Sequence, residues 1–313
     1  MLRPKPLFIM GNKRSGSTLM TDLLNSHANV FVSHESDIAW ILYQARNGRP
    51  TYYETHPLDS RLMLDSTLES CRRILKRTLS DGPTHEEIVE AFYLSQTRLL
   101  SQYLRPSIKQ RFKRIAKIVG KRPTMERVFR ALRQNPELLQ KKDLAWIGDK
   151  KHAQHLDPDV RQFLQLHFPE ARYIHVIRHP RSVVASTMEA ARRWSEKPEY
   201  FKGYAEQILE QWAVHEEWVL QAKKQEASPI LTVRLEDLWS EPVKIMTEVV
   251  DFLELKMTDG FADLITQIVY ANDPNLKYAS FPLPEVARAR RIMEMYNYCS
   301  SESENTLSAR AAV

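Results

Sequence analysis

The strongest hydrophobic pattern lies near the start of the chain, where an apolar run ends abruptly at a polar loop. Residues 7–10 have the length and composition of a buried strand. The run stops at Gly11, residues 12–17 are polar and flexible, and from Thr18 the apolar residues recur at helical spacing. The pattern therefore predicts a strand, a tight loop and a helix. In this arrangement the loop N–H groups and the positive end of the helix dipole form a binding site for an anion.

Further along the chain, short apolar runs alternate with segments of helical spacing. This alternation predicts an α/β fold, a P-loop-like parallel sheet flanked by helices, with a large helical insertion at about residues 46–145. The predicted strands are residues 7–10, 30–33, 145–148, 172–177 and 229–234. The predicted helices outside the insertion begin at Thr18 and continue with residues 38–43, 156–168, 180–193, 204–224, 242–255, 259–270 and 284–298.

The insertion has many helical periods and almost no strand signal, and its predicted helices are residues 65–79, 85–104, 108–119 and 125–132. Its second half is strongly basic. Residues 105–142 contain thirteen Lys or Arg residues against two acidic ones, so this segment carries +11 within a chain whose net formal charge is +6. Three interpretations stay open: core packing with a solvated basic face, a lid that attracts an acidic acceptor or cofactor, and a helix on a membrane surface.

Composition predicts a globular protein of enzyme size. With 313 residues, 43% of them hydrophobic, the chain is expected to form one domain over residues 1–300, followed by a disordered tail at residues 301–313. No window approaches eighteen uninterrupted apolar residues, and the N-terminus leads directly into the first strand without a signal peptide. The only two cysteines, Cys71 and Cys299, fit a reducing compartment. We therefore predict a cytoplasmic protein without a membrane span.

The loop after the first strand follows the nucleoside-triphosphate pattern GxxxxGK[ST] with one change. The glycines are Gly11 and Gly16, and Ser17 stands where that pattern has lysine. Because ATP and GTP hydrolysis depends on that lysine together with magnesium, the change argues against both activities. Lys13 and Arg14 lie inside the loop, where they could neutralise an anionic group without a metal ion. The loop thus favours an activated anion other than a nucleoside triphosphate.

Residues 13–19, KRSGSTL, resemble the 5′-phosphosulfate loop of sulfotransferases that use 3′-phosphoadenosine 5′-phosphosulfate (PAPS). Those enzymes carry a second motif, a strand that ends in Arg with Ser eight residues later, and residues 173–186 contain it with His179 in place of the common Asp. The resemblance implies PAPS as co-substrate, with Arg178 and Ser186 on its 3′-phosphate. The residues implied at its 5′-phosphosulfate are Lys13, Arg14, Ser15, Gly16, Ser17 and Thr18.

The same resemblance, to the tyrosylprotein and bacterial carbohydrate types, suggests the catalytic residues. Glu35, at the carboxyl end of the second predicted strand, matches the position of their catalytic base, although a carboxylate that stabilises a helix N-terminus is the alternative. Arg14 and Lys150 would stabilise the charge that grows on the bridging oxygen, with Lys151 the near alternative to Lys150. Residues 235–238, LEDL, resemble a YEDL step of the family and are interpreted as structural.

These observations predict a PAPS-dependent O-sulfotransferase that works without a metal ion, since no two histidines form a helical HxxxH pair with a neighbouring acidic residue. The acceptor is a hydroxyl on a glycan, a peptide tyrosine, a lipid or a small molecule, and the basic segment favours an anionic one. The alternative enzyme is a small-molecule kinase with a degenerate P-loop. A third class, a non-catalytic module that binds nucleic acid or an anionic membrane through the basic helices, has only charge in its favour, so we expect no nucleic-acid partner. The sequence leaves the oligomeric state open.

Overall fold

A computed structural model gives the fold of most of the chain. The described residues are 3–34, 36–47, 82–104, 141, 143–192, 203–225, 228–269 and 275–298. Three of the helices predicted in the insertion and the predicted C-terminal tail lie outside these ranges. The fourth, residues 85–104, is present.

Five parallel strands form one sheet in the order β2-β3-β1-β4-β5. The strands are β1 (Lys5–Gly11), β2 (Val30–His34), β3 (Trp146–Lys150), β4 (Arg172–Ile177) and β5 (Ile230–Arg234). The central strand, β1, pairs with β3 on one side and β4 on the other. All strands run in one direction, so the segments that follow β1 and β4 emerge side by side at the carboxyl edge of the sheet. This topology confirms the predicted P-loop-like α/β fold.

Ten α-helices lie within the described ranges, and they cover both faces of the sheet. They are α1 (Ser17–Asn25), α2 (Ile38–Asn47), α3 (His85–Leu104), α4 (Pro158–His167), α5 (Pro180–Arg192), α6 (Tyr204–Gln225), α7 (Leu235–Ser240), α8 (Pro242–Phe252), α9 (Asp259–Val269) and α10 (Ala287–Met295). Short 3-10 helices occupy Ala153–Leu156 and Leu276–Tyr278.

The apolar run of β1 is continuous because both of its faces are buried. Leu7 and Ile9 pack into a core formed with α1, α8 and α9. Phe8 and Met10 point the other way, into a core formed with α2, α3 and α4. A third core lies among α5, α6 and α10, next to the carboxyl end of β4. The sheet is thus rigid on both sides at the place where the glycine-containing loop leaves it.

Gly148 in β3 allows the close pairing of β3 with β1. A Cβ atom built on Gly148 would lie 1.6 Å from the carbonyl oxygen of Leu7, on the paired strand. That contact involves backbone on both sides, so no side-chain rotation relieves it. Only glycine fits this position of the central sheet.

We expect Gly148→Ala to destabilise the protein by about 4 kcal/mol or more, because the methyl group must separate two paired strands. Gly82→Ala is the matched control: Gly82 has a left-handed φ of 70° but open space around its Cβ position, so its cost is about 1–2 kcal/mol. Urea unfolding of both variants measures the difference. Equal unfolding midpoints for the two variants would contradict the conclusion that only glycine fits at position 148.

Candidate functional site

The loop between β1 and α1 has a backbone that suits an anion. Gly16 caps α1 with a φ of 97°, and a Cβ atom there would lie 2.6 Å from the side chain of Leu235. Arg14 also adopts a left-handed φ, 67°. The helix begins at Ser17 with no side-chain cap and no acidic residue in its first turn. Its first N–H groups therefore have no acceptor within the helix, and no negative charge there opposes an anionic ligand.

The side chains of the loop add polar groups to this backbone. Ser15 is fully buried, and its Oγ has no hydrogen-bond partner within the described part of the chain. Ser17 is buried at the helix start, whereas Thr18 and Lys13 are partly exposed and Arg14 is exposed. A buried hydroxyl without a partner is costly unless a ligand supplies one. The predicted 5′-phosphosulfate residues thus lie together around one concave backbone.

The second predicted motif lies directly beside this loop. Arg178 follows the end of β4, and Ser186 lies in the second turn of α5. The Arg14 Nε donates to Ser186 Oγ at 3.0 Å, and the Arg178 Nη1 donates to the Arg14 carbonyl oxygen at 3.0 Å. Two sequence motifs about 165 residues apart are therefore joined by direct hydrogen bonds.

Arg178 is held by Asn275, for which the sequence contains no local signal, and through it by Glu236 of the LEDL segment. Its Nε donates to Asn275 Oδ1 at 2.6 Å, and Asn275 Nδ2 donates to Glu236 Oε1 at 3.1 Å. Glu236 also accepts from the backbone N–H of His179 and from the Tyr298 hydroxyl. Glu236 is partly exposed, but most of its surroundings are protein. The resulting desolvation of the carboxylate raises the pKa of Glu236. The LEDL segment, interpreted as structural, is thus joined to Arg178 through Asn275.

His179, which stands where the motif commonly has Asp, contacts the first turn of α5. Its Nδ1 accepts a hydrogen bond from the backbone N–H of Arg181 at 3.2 Å, so the imidazole is neutral with its proton on Nε2. Burial lowers the pKa of His179 to about 4, and the nearby Arg181 and Arg234 lower it further by repulsion. Because the His179 ring is uncharged, the positive charge around it comes from arginine side chains.

The base of the loop is fixed by a buried polar cluster on α6. Asn12 Nδ2 donates to Glu216 Oε1 at 2.7 Å, and Asn12 Oδ1 accepts from His215 Nδ1 at 2.7 Å. The other Glu216 oxygen lies 3.2 Å from Nε2 of His175 in β4. Glu216 and His175 are fully buried. This cluster attaches the loop to both α6 and β4.

The predicted catalytic lysines lie at the end of β3, on the side of the loop away from Arg178. The strand predicted at residues 145–148 extends through Asp149 and Lys150, and Lys150 is only 1% exposed. Lys151 forms an ion pair with the buried Asp37. Asp149 accepts hydrogen bonds from the Ser36 hydroxyl and backbone N–H, at 2.7 and 3.2 Å.

Glu35 itself lies outside the described residues, but the residues on both sides of it are placed. Ser33 Oγ donates to Asp149 Oδ1 at 2.9 Å, so β2 and the segment after it are joined to the end of β3. Burial alone would raise the pKa of Asp149, but hydrogen bonds from His155, Ser36 and Ser33 hold it below its usual value. The chain on either side of Glu35 thus lies at the carboxyl edge of the sheet.

The parallel sheet and the uncapped loop define a P-loop-like α/β fold, with a loop that suits an anion at the end of its central strand. The model of the Sulfotransferase family matches residues 6–259. The chain therefore belongs to the sulfotransferase family and is a sulfotransferase. This match does not favour the kinase alternative.

Solved structures share the fold. The sulfotransferase domain from the Synechococcus PCC 7002 olefin synthase aligns with a TM-score of 0.54 and 20% identity, over 96% of this chain and 97% of that domain. The sulfotransferase domain from the curacin biosynthetic pathway aligns with a TM-score of 0.53 and 20% identity, over 95% and 99% of the two chains. No curated protein sequence matches this chain significantly.

Two further properties concern the described ranges alone. Within them, no helix combines the length and apolar character needed to cross a membrane. Across the same residues, no group of three or more His, Cys, Asp or Glu side chains is arranged to hold a metal ion.

The depressed pKa of His179 generates a pH prediction. A histidine with a folded-state pKa near 4 and an unfolded value of 6.5 stabilises the protein fully above pH 6.5, and this contribution is lost as the pH falls toward 4. The loss is about 3 kcal/mol. His179→Asn keeps an acceptor for the Arg181 N–H but cannot titrate, so it should lack this component.

Urea unfolding of both proteins between pH 4 and 7 measures the effect, and other groups, including His167, cancel in the difference between the two curves. Curves that run parallel over this range would show that His179 is not held neutral by burial.

Proposed function

We propose that this sulfotransferase uses PAPS as donor and transfers its sulfuryl group to an acceptor hydroxyl. The observation that carries the proposal is the hydrogen-bonded contact of Arg178 and Ser186 with Arg14 of the loop. PAPS has a phosphosulfate at its 5′ end and a phosphate at its 3′ position, so a specific site needs two adjacent sets of anion ligands. The two motifs supply both sets.

The 5′-phosphosulfate would be bound by the loop residues from Lys13 to Thr18. Their contribution is the first-turn N–H groups of α1, the hydroxyls of Ser15, Ser17 and Thr18, and the cationic side chains of Lys13 and Arg14. The Ser15 hydroxyl, which is buried without a partner in the described structure, fits a polar ligand of this kind. Fixed cations in the loop would take the place of the lysine and magnesium of P-loop kinases.

The 3′-phosphate would be bound by Arg178 and Ser186. A guanidinium whose Nε and one Nη already contact protein has a fixed plane, and a planar donor of fixed orientation suits an oxyanion. The 3′-phosphate is the group that separates PAPS from ATP, so these residues would determine the choice of nucleotide.

In the reaction the acceptor oxygen forms a bond to sulfur while the bond between sulfur and the bridging phosphate oxygen breaks, releasing 3′-phosphoadenosine 5′-phosphate (PAP). Glu35 would receive the proton of the acceptor hydroxyl. Arg14 and Lys150 would stabilise the negative charge on the bridging oxygen, a contribution of about 3 kcal/mol for one well-placed donor.

The acceptor is proposed to be a hydroxyl compound with negative charge, because residues 105–142 are strongly basic. Most of that segment lies outside the described residues, so the proposal rests on charge alone. A set of glycan, peptide, lipid and small-molecule hydroxyl acceptors, incubated with ³⁵S-labelled PAPS, would identify the class.

We expect PAP to bind at least about tenfold more tightly than 5′-AMP, because only PAP supplies a phosphate to Arg178 and a charge-assisted hydrogen bond of this kind carries that much energy. Isothermal titration calorimetry measures both dissociation constants. Arg178→Ala should reduce the affinity for PAP to that for 5′-AMP.

Arg172→Ala is the matched control for Arg178→Ala, since Arg172 lies at the opposite end of the same strand and contacts Phe252 and Glu254. It should leave the affinity ratio unchanged. Equal affinities of the wild-type protein for PAP and 5′-AMP would contradict the proposed donor.

Glu35→Gln should bind PAP normally and lose turnover by about a hundredfold or more, because the amide cannot accept the proton. The control is Glu170→Gln, an exposed glutamate at the amino end of β4, away from the site. Turnover is measured as transfer from labelled PAPS to an acceptor found in the acceptor assay. An unaltered rate for Glu35→Gln would remove this residue from the mechanism.

A further inference from the structure

Arg178 is the centre of a chain of polar contacts that extends away from the loop. Its Nε donates to Asn275 Oδ1, and Asn275 passes a hydrogen bond on to Glu236. Asn275 is buried and lies just before a 3-10 helix, Leu276–Tyr278. An amide between a guanidinium and a carboxylate has only one satisfactory orientation, because its oxygen must face the cation and its nitrogen the anion. Its position is thus well defined.

The other contacts of this segment hold it in place. Tyr278 and Lys277 both donate to Glu189 Oε2 of α5, at 2.6 and 2.8 Å. The Tyr278 ring also lies under the Arg178 guanidinium, with 5.8 Å between its centroid and Cζ. Residues 275–278 therefore join the helix that bears Ser186 to Arg178 itself.

Glu236 is also held by three hydrogen bonds. Its Oε1 accepts from both Asn275 Nδ2 and the His179 N–H, and its Oε2 accepts from the hydroxyl of the buried Tyr298. These contacts place Glu236 between the start of α5 and Asn275. The His179 N–H, the Asn275 amide and the Tyr298 hydroxyl all donate to Glu236, so the positions of its two oxygens affect all three hydrogen bonds.

We propose that Asn275 and Glu236 are positioning residues for the 3′-phosphate of the donor nucleotide, acting through the orientation of Arg178. This inference rests on the proposed function, since it assigns the 3′-phosphate to Arg178. Without Asn275 the Nε of Arg178 loses its acceptor, and the guanidinium plane can rotate away from the direction set by its hydrogen bond to Arg14. A ligand with a 3′-phosphate would then lose affinity, whereas a ligand without one would not.

The experiment measures dissociation constants of PAP and 5′-AMP by calorimetry in the wild type and in Asn275→Ala. We expect the ratio of the two constants to fall by at least about tenfold toward one, with the 5′-AMP constant changed less than about twofold. In an Arg178→Ala background, Asn275→Ala should change the PAP constant less than about twofold, because its effect passes through Arg178.

Asn25→Ala controls for the loss of a buried asparagine. Asn25 exchanges two hydrogen bonds with the backbone of Val32, and it lies at the end of α1 away from the loop. It should lower stability and leave the affinity ratio unchanged. Asn275→Ala with the wild-type ratio, or with equal weakening of both ligands, would overturn the inference.

Two Glu236 variants separate position from charge. Glu236→Gln keeps an oxygen for Asn275 and His179, so it should retain the ratio within about threefold, whereas Glu236→Ala should lose it as Asn275→Ala does. Equal loss in both Glu236 variants would overturn the positioning role in favour of charge. If the wild-type protein itself fails to discriminate, the proposed donor and this inference both fail. If it discriminates and Asn275→Ala does too, only this inference fails.

Discussion

The hydrogen bond from Arg178 to the carbonyl of Arg14 joins the two halves of the site. It depends on the parallel sheet, because β1 and β4 are neighbours and their carboxyl ends emerge side by side. The loop after β1 and the first turn after β4 then meet without any intervening element. The contact of Arg14 with Ser186 adds a second link between the same two segments. The strand order therefore holds the two candidate anion-binding segments side by side.

Three carboxylates near the carboxyl edge of the sheet, Glu216, Asp149 and Glu236, each have polar partners within the protein. Glu216 contacts Asn12 and His175, Asp149 accepts from two serines, and Glu236 accepts from three donors. Unpaired, such groups would be costly to desolvate, and each would change its protonation or its position. Paired, they hold the surrounding segments rigidly. The carboxylates at the site therefore attach neighbouring segments to the sheet.

Much of this arrangement could be predicted from sequence. The apolar run of β1, the glycines of the loop and the Arg-to-Ser spacing after β4 are local patterns, and the structure confirms the fold and family that they indicated. Asn275 gave no local signal, because its importance depends on contacts with Arg178 and Glu236 that are far away in sequence. Glu236 could be noticed in the sequence, because it is a carboxylate that closely follows a predicted strand. Its spacing from other residues does not show that it is connected to Arg178 through Asn275. The roles of the individual site residues remain predictions.

A rigid arginine has a physical advantage for a nucleotide with two anionic ends. A flexible cation must lose side-chain entropy when a ligand binds, and it attracts any phosphate that comes within reach. In this protein the Arg178 guanidinium already contacts Asn275 and the Arg14 carbonyl. Its side-chain entropy is therefore lost during folding, and the orientation of the guanidinium is fixed before a ligand binds. Such a guanidinium would increase the affinity for a phosphate only if that phosphate lies at the right distance from the loop. Selectivity for a 3′-phosphate would then come from geometry, since the loop itself would bind any phosphate-type anion at the 5′ end.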